Sequence, residues 1–358
     1  MPKAYRNIAG AALVFLTALA GIWLIPKQAG GEVQSDKDVA GKYDKYFFYD
    51  ATPFPMPPET AAKKKEPPKK EPSTVESTRM FNLDTTRSEG APYLDFVWLW
   101  KGSAQGYTEA EHTHDFDEFI GFIGTRGQTD PRNLGGEMEV WLGGEQYSIT
   151  KSCLIFIPKG LKHCPIKFVR IDTPILFFSG GMATKYSRTA TQFSTAKAAE
   201  RNYAKYISYD INPKKAPPKA ASPEAAKKAA EAREKSGSTI ESTRLLDLDM
   251  VEGAPYIDFA WLWKGSEKAP THPEHAHDWG EVFGYVGSVG QKDPRSLGGE
   301  VEFWLGGEKH VLTKSCIVWI PPGVKHCPVR FARIDQPMLW FTIGTTQKYS
   351  LTPAAKKQ

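Results

Sequence analysis

The chain has 358 residues and a formal net charge of +5, from 46 Lys and Arg against 41 Asp and Glu. This length allows two or three domains with separate cores, and 41% hydrophobic with 12% aromatic residues excludes a wholly disordered chain. Four cysteines are too few for a disulfide-dense scaffold. The positive excess is small and partly lies in short lysine runs, so no nucleic-acid partner is expected.

The N-terminus begins with a targeting pattern. Lys3 and Arg6 precede an apolar run over residues 8–25, which as a helix would be about 27 Å long and just able to cross a bilayer. Residues 1–30 are therefore predicted to be a signal peptide or a membrane anchor. Ala18 and Ala20 resemble a cleavage site, but the apolar run continues beyond them. Either way, the basic flank places the rest of the chain outside the cytoplasm, periplasmic or secreted, or anchored to the inner membrane by residues 8–25.

The remainder is an internal duplication. EGAPYLDF at 89–96 returns as EGAPYIDF at 252–259, and WLWKGS at 98–103, LGGE at 134–137 and KSC at 151–153 all return at the same offset of 163 residues. A weaker match links Tyr46 and Tyr49 to Tyr206 and Tyr209, upstream of the two cores. The chain thus has two similar units, each with an aromatic lead-in, a linker and a core of ordinary domain size.

Composition places the boundaries between these units. Residues 31–75 hold the first lead-in and a linker rich in Pro, Lys and Glu, and residues 191–240 hold the second lead-in and linker. Ser222 and Pro223 precede an Ala, Glu and Lys stretch, which predicts a short exposed helix. The cores are predicted at 76–190 and 241–352.

Both cores have a β pattern. Residues 137–142 alternate polar and apolar side chains, another run covers 146–157, and the Pro158-Lys159-Gly160 triplet marks a turn. Short strands separated by Gly and Pro predict an all-β sandwich or small barrel in each core.

Histidines form a repeated constellation. His112, His114 and Glu118 have even spacing, which on one strand would place all three on one face, and His163 follows the Pro158-Lys159-Gly160 turn. The second core repeats the set as His275, His277, Glu281 and His326. Three imidazoles and one carboxylate suit a divalent transition metal, and a partly filled coordination sphere leaves room for a substrate.

This pattern resembles the cupin superfamily, whose motifs are His-x-His-x3-Glu and Pro-x-Gly-x2-His. Both motifs occur twice, so the chain resembles a bicupin. The resemblance implies two tandem double-stranded β-helix (jelly-roll) barrels, each binding one metal ion. Iron or manganese is favoured, and zinc, nickel and copper also fit. Its implied ligands are His112, His114, Glu118 and His163 in the first barrel and His275, His277, Glu281 and His326 in the second.

Several other side chains could either bind a ligand or have a purely structural role. Phe116 and Trp279 either line the cavities or fill the core, and His272 and His310 are expected not to be ligands. The tryptophans of the two WLW segments are expected to pack in the core or between domains. Arg170 and Arg333 can hold a substrate carboxylate, but pairing with Asp172 and Asp335 is the simpler expectation.

Two interpretations of the cysteines stay open. Cys153 and Cys164, like Cys316 and Cys327, are 11 residues apart around a turn and either form a disulfide in each core or remain thiols. Thiolate binding to the metal is less expected, because adjacent strand residues point to opposite faces.

The leading hypothesis is a metal-dependent enzyme, oxygen-dependent or decarboxylating, that acts on a small, anionic molecule outside the cytoplasm. No general base stands out. The rivals are a noncatalytic periplasmic protein that binds a small molecule or a metal, and a structural surface protein. A homo-oligomer is compatible with the sequence.

Overall fold

The computed structural model describes residues 41–53, 72–192, 202–213 and 237–350. The N-terminal signal or anchor segment and the helix predicted after Pro223 lie outside these residues. No helix within them is long and apolar enough to cross a membrane. The described residues contain two 3₁₀ turns, Asp44–Tyr46 and Ala204–Tyr206, and otherwise strands and loops.

The strands follow the sequence duplication. In the first half they are β1 Phe47–Phe48, β2 Glu76–Leu83, β3 Tyr93–Lys101, β4 His112–Thr113, β5 Glu118–Gly124, β6 Asn133–Leu142, β7 Glu145–Lys151, β8 Cys153–Ile157, β9 His163–Ile171, β10 Ile175–Gly181 and β11 Thr189–Ala190. In the second half they are β12 Ile207–Ser208, β13 Glu241–Asp247, β14 Ile257–Lys264, β15 Glu281–Gly287, β16 Ser296–Leu305, β17 Glu308–Lys314, β18 Cys316–Ile320, β19 His326–Ile334 and β20 Met338–Gly344.

Each core is a pair of antiparallel sheets. The first core has sheets in the order β12-β8-β5-β10-β3-β2 and β11-β4-β9-β6-β7, and the second has β1-β18-β15-β20-β14-β13 and β17-β16-β19. The predicted all-β fold is thus confirmed for the described residues. One detail differs: the apolar run expected at 146–157 is two strands, β7 and β8, separated at Ser152, whose hydroxyl accepts a hydrogen bond from the Gly124 amide at 3.0 Å.

Alternate side chains of strand β3 face two different buried regions. Tyr93, Asp95 and Val97 face a cavity inside the first barrel. The intervening Phe96 and Trp98 point the other way, into an apolar cluster that contains residues of both halves. A strand buried on both faces in this way needs apolar residues at nearly every position, which explains the absence of simple polar alternation here.

The two barrels pack through stacked phenylalanines. Phe96 stacks on Phe341 and Phe178 stacks on Phe259, each with ring centroids 5.0 Å apart. Trp98, Trp100, Trp261 and Trp263 belong to the same shared cluster, so the expected packing role of the WLW segments is confirmed. Such aromatic contacts stabilise the interface beyond their buried area.

Each lead-in joins the barrel of the other half. Strand β1 extends the second barrel, with Phe47 opposite Val318, and β12 extends the first, with Ile207 opposite Ile155. The preceding tyrosines pack on tight hairpin turns: a Cβ at Gly143 would lie 2.1 Å from the Tyr203 ring, and Gly143 has a φ of 56°. Glycine is therefore needed at this turn for both conformation and space.

Candidate metal centres

The structure brings the eight predicted ligands into two groups. His112, His114, Glu118 and His163 have candidate ligand atoms within 4.8 Å of one another, and so have His275, His277, Glu281 and His326. In the first group, Glu118 Oε2 lies 3.3 Å from His114 Nε2 and 2.9 Å from His163 Nε2. In the second group, Glu281 Oε2 lies 3.2 Å from His277 Nε2 and 3.1 Å from His326 Nε2.

Three chain segments supply each group. Strand β4 ends at Thr113 and β5 begins at Glu118, so the first two histidines and the glutamate do not share one strand face as expected. The turn between them contains Asp117, whose carboxylate accepts a hydrogen bond from the Lys159 amide at 2.8 Å. That bond joins this turn to the turn before His163. The ligands therefore converge through two linked turns, which strand parity alone does not predict.

Backbone carbonyls fix the orientation of all six imidazoles. The Nδ1 of His112, His114 and His163 lies 2.8, 2.5 and 2.9 Å from the carbonyls of Ala110, Ser187 and Leu161. The Nδ1 of His275, His277 and His326 lies 2.7, 2.6 and 3.1 Å from the carbonyls of Pro273, Ser350 and Val324. Since a carbonyl only accepts, each Nδ1 must carry the proton, and the Nε2 of the neutral ring is left with a lone pair.

The atoms that face one another lack hydrogen-bond partners. His163 Nε2, Glu118 Oε2, His277 Nε2, His326 Nε2 and Glu281 Oε2 are buried without a hydrogen bond in the described structure, although they lie close together. Buried polar atoms rarely remain unsatisfied. Lone pairs aimed at a common point, with Nδ1 bonded to a carbonyl behind each ring, are the arrangement of a histidine metal site. The residues therefore fit a divalent transition metal in each barrel.

Burial and neighbouring charges favour an ionised Glu118 carboxylate and a neutral His112 ring, whereas contact with Glu118 outweighs burial and raises the pKa of His114. Burial alone would raise the pKa of Glu118, but contacts with His114 and His163 outweigh it, and the pKa is lowered. Burial, with the nearby His163, lowers the pKa of His112 well below its ordinary value. Anionic oxygen and unprotonated nitrogen are the forms that bind a metal ion.

One aromatic ring supports each second histidine. Phe116 stacks on His114 with centroids 4.7 Å apart, and Trp279 stacks on His277 at 4.0 Å. The indole Nε1 of Trp279 donates a hydrogen bond to Ser350 Oγ at 3.1 Å. These aromatics therefore hold ligand rings in place and are more than core filler.

Comparison with solved structures finds similar folds at low identity. Oxalate decarboxylase from Bacillus subtilis is 10% identical, with 79% of this chain and 76% of that chain covered and a TM-score of 0.43. A formate complex of oxalate decarboxylase from Lactobacillus farciminis is 12% identical, covering 79% and 86%, with a TM-score of 0.43. AerE from Microcystis aeruginosa is 10% identical, covering 84% and 98%, with a TM-score of 0.40.

No protein-family model and no curated protein matches the chain. The decisive observation is the repeated four-residue group inside each of two antiparallel barrels. The chain resembles a bicupin. The cupin resemblance noted in the sequence is thus confirmed by geometry in both halves.

The first barrel contains a partly open cavity of about 110 Å³ beside its candidate ligand group. His112 and Glu118 form part of its wall, so the metal position faces this space. Most of the remaining wall is apolar, from side chains that include Leu99, Ile120 and Phe168. The volume limits an occupant to a small molecule.

Glu109 stands at this cavity and was missed as a functional residue by the sequence analysis. Its Oε1 accepts a hydrogen bond from Tyr186 Oη at 3.2 Å and another from Arg188, with which it forms an ion pair. Burial raises the pKa of Glu109, and Arg188 partly offsets this. Tyr186 and Arg188 lie between β10 and β11, distant from Glu109 in sequence, so no motif connects them.

Cys164 also faces the first cavity. All four cysteines are buried thiols without a disulfide, and burial raises the pKa of each. Cys164 lies within 4.8 Å of candidate atoms of Glu109 and His112, but it is not in the four-residue ligand group. Strand alternation fails here because Cys164 has a φ of 65°, which turns its side chain toward the same interior as its neighbour.

The remaining sequence candidates lie elsewhere. Arg170 pairs with Asp172 and Arg333 pairs with Asp335 on the surface, so the simpler expectation is confirmed. His310 packs against Phe47 with centroids 4.3 Å apart, and His272 packs against Trp340 at 5.7 Å. Neither histidine belongs to a metal-type group among the described residues.

The second barrel has bulkier side chains at two of the positions that line the first cavity. Phe283 replaces Ile120 and Trp340 replaces Phe177 at the repeat offset. The two rings lie 6.4 Å apart, and Phe283 contacts His326 at 5.8 Å. The two metal groups are thus nearly identical, while the space beside them differs.

Proposed function

We propose that this protein is an extracytoplasmic, metal-dependent bicupin enzyme that acts on a small anionic molecule by oxygen-dependent cleavage or decarboxylation. One divalent ion, iron or manganese in preference to zinc, nickel or copper, binds in each barrel. His112, His114, Glu118 and His163 hold the first ion, and His275, His277, Glu281 and His326 hold the second.

The observation that carries this proposal is the fixed tautomer of the ligand histidines beside a cavity. Six Nδ1 atoms are within hydrogen-bond distance of backbone carbonyls, and in the first barrel His112 and Glu118 border a cavity. A purely structural metal site is normally closed by protein ligands. An ion that accepts six ligands, such as iron or manganese, would keep exchangeable positions for a substrate beside the cavity when four protein ligands hold it.

The chain's residues prepare the site for an anion. Three neutral imidazoles and one carboxylate leave a divalent ion with net positive charge, which attracts an acidic substrate group into an apolar cavity. A bound ion supplies Lewis-acid stabilisation of the negative charge that develops during reaction. The apolar part of the wall lowers the local polarity and strengthens these electrostatic interactions.

The location outside the cytoplasm is part of the proposal and rests on the sequence. The basic start and the apolar run over residues 8–25 support a signal peptide or membrane anchor.

Metal analysis with site variants tests the proposal. We expect about two transition-metal ions per chain, and about one in either E118Q or E281Q, because each variant removes the anionic ligand of one group. Wild-type protein is then screened with small acids in air and under argon, with product detection. Turnover should be lost in E118Q without unfolding, whereas E137Q, which changes a surface partner of Arg170, should retain both metal and turnover.

Other outcomes point to the rival functions. Unchanged metal content in both E118Q and E281Q would refute the metal assignment. Ligand-induced stabilisation without product would indicate a binding protein. Unfolding on chelation, with no ligand effect, would indicate a structural role.

A further inference from the structure

The two oxygens of Glu109 have different surroundings. Oε1 accepts hydrogen bonds from both Tyr186 and Arg188, whereas Oε2 has no hydrogen-bond partner among the described residues. Oε2 is also not among the fully buried polar atoms that lack partners, so it is accessible to solvent, and Glu109 forms part of the cavity wall. One oxygen is therefore anchored, and the other is presented to an occupant as an acceptor.

The position of Glu109 relates this acceptor to the metal group. Its carboxylate lies within 4.8 Å of a candidate ligand atom of His112, and His112 and Glu118 line the same cavity. A molecule with one oxygen at the metal position and a neighbouring hydroxyl would bring that hydroxyl to Oε2. A second carboxylate there would instead meet an anionic oxygen and be disfavoured.

The second barrel lacks this acceptor. At the repeat offset, Glu109 is replaced by His272, whose Nδ1 lies 3.0 Å from Thr271 Oγ1 and whose ring packs on Trp340. The acceptor is thus a property of the first barrel and is not required to build the shared metal group.

We propose that Glu109 is a specificity-determining residue, which accepts a hydrogen bond through Oε2 from the hydroxyl of a small 2-hydroxy acid whose carboxylate lies at the first metal group. This inference rests on the proposed function. The apolar walls favour a short hydrocarbon substituent, and the cavity volume of about 110 Å³ excludes large ones.

Binding of a matched pair of probes tests the inference. Glycolate carries the hydroxyl donor, whereas methoxyacetate has the same skeleton without it. Calorimetric titrations of manganese-loaded full-length protein give a dissociation constant for each probe, and the ratio of the two constants is compared between variants. Only binding that is lost in E118Q, and so belongs to the first metal group, is counted. The metal's own preference contributes to this ratio, so only its change between variants is assigned to Glu109.

We expect E109Q to reduce the preference for glycolate about tenfold, as for loss of a hydrogen bond to a charged acceptor. The side-chain carbonyl of the introduced amide retains Tyr186 and Arg188, which leaves the amide NH₂ facing the hydroxyl. H272Q, at the matched position in the second barrel, should leave the ratio unchanged. Y186F should change it less than about twofold, because Oε2 is not the oxygen that Tyr186 binds.

The outcomes separate this inference from the proposed function. If E109Q keeps its metal content and its unfolding midpoint but also keeps the wild-type ratio, the role of Glu109 is refuted while metal binding stands. If metal-loaded wild-type protein binds neither probe, the hydroxy-acid assignment fails. If the wild-type protein binds no metal, both proposals fail.

Discussion

Glu302 and Arg330 form an ion pair across neighbouring strands of the second barrel. Arg330 Nε and Nη2 lie 2.5 and 2.6 Å from the two carboxylate oxygens, and Lys309 Nζ lies 2.5 Å from Oε1. The hydrogen bonds from Arg330, against a smaller effect of burial, lower the pKa of Glu302 to about 2. The equivalent Glu139 and Lys167 face each other on β6 and β9 without an ion pair among the described residues.

The first residue-scale prediction concerns E302Q. A carboxyl group whose folded pKa is depressed stabilises the protein above its unfolded pKa, and this contribution is lost as the pH falls through the folded pKa. We therefore expect E302Q to lower the free energy of unfolding by about 1.5 to 3 kcal/mol at pH 6. Between the ordinary value of 4.5 and about 2, the difference from wild type should shrink.

Urea unfolding of metal-free protein at several pH values measures this difference. E139Q is the matched control and should change stability by less than about 0.5 kcal/mol at any pH. An E302Q effect that is independent of pH would show that packing, and not charge, is responsible.

At the scale of single elements, the exchanged lead-in strands are the feature that the duplication did not predict. Phe47 on β1 is buried among second-barrel residues and contacts Phe303 with centroids 6.2 Å apart. Ile207 on β12 is buried in the first-barrel cluster. Each short strand covers the edge of β18 or β8, which would otherwise expose unpaired backbone groups.

Alanine substitutions should therefore act on the opposite half of the molecule. F47A is expected to cost about 3 kcal/mol, the low end for a buried Phe, and I207A about 2 kcal/mol. Hydrogen exchange should accelerate in β18 but not β8 for F47A, with the reverse for I207A. Equal acceleration of both strands in either variant would contradict an independent action of the two lead-ins.

At the scale of the whole molecule, the barrels are joined by phenylalanine stacks. These stacks need glycine at neighbouring positions, because a side chain there would overlap a ring. Gly121 lies opposite Phe178 on neighbouring strands, and a Cβ there would be 2.0 Å from the Phe178 ring. Phe178 in turn stacks on Phe259 of the other barrel. A methyl group at Gly121 would therefore push a ring into the interface between the two barrels.

We expect G121A to destabilise the protein by about 1 to 3 kcal/mol, as overpacking of a dense core does, and to weaken the coupling of the barrels. Calorimetry should show one unfolding transition in wild type and two in the variant. The double variant G121A/F178L, which returns space to the ring position, should recover part of the loss. No recovery would contradict displacement of the Phe178 ring as the cause of the effect.

Much of the candidate metal site followed from the sequence. All eight residues of the two candidate groups were predicted because their spacing and chemistry are repeated, and spacing of this kind is visible without coordinates. The tautomers of the histidines were not predicted, because they depend on backbone carbonyls that can be distant in sequence. The carbonyl of Ser187, for example, is 73 residues from its partner His114. Glu109 was missed because its role comes from Tyr186 and Arg188, which only folding brings to it.

By itself the sequence determined the all-β class, the duplication and the two candidate ligand sets, since local composition, periodicity and repeat spacing encode them. Only the tertiary structure decided which lead-in joins which barrel, that Cys164 turns toward the cavity, and that the space beside the two metal groups differs. These features depend on contacts between residues far apart in the chain and on backbone angles such as the φ of 65° at Cys164. Neither long-range contacts nor single backbone angles produce a periodic pattern in the amino-acid sequence.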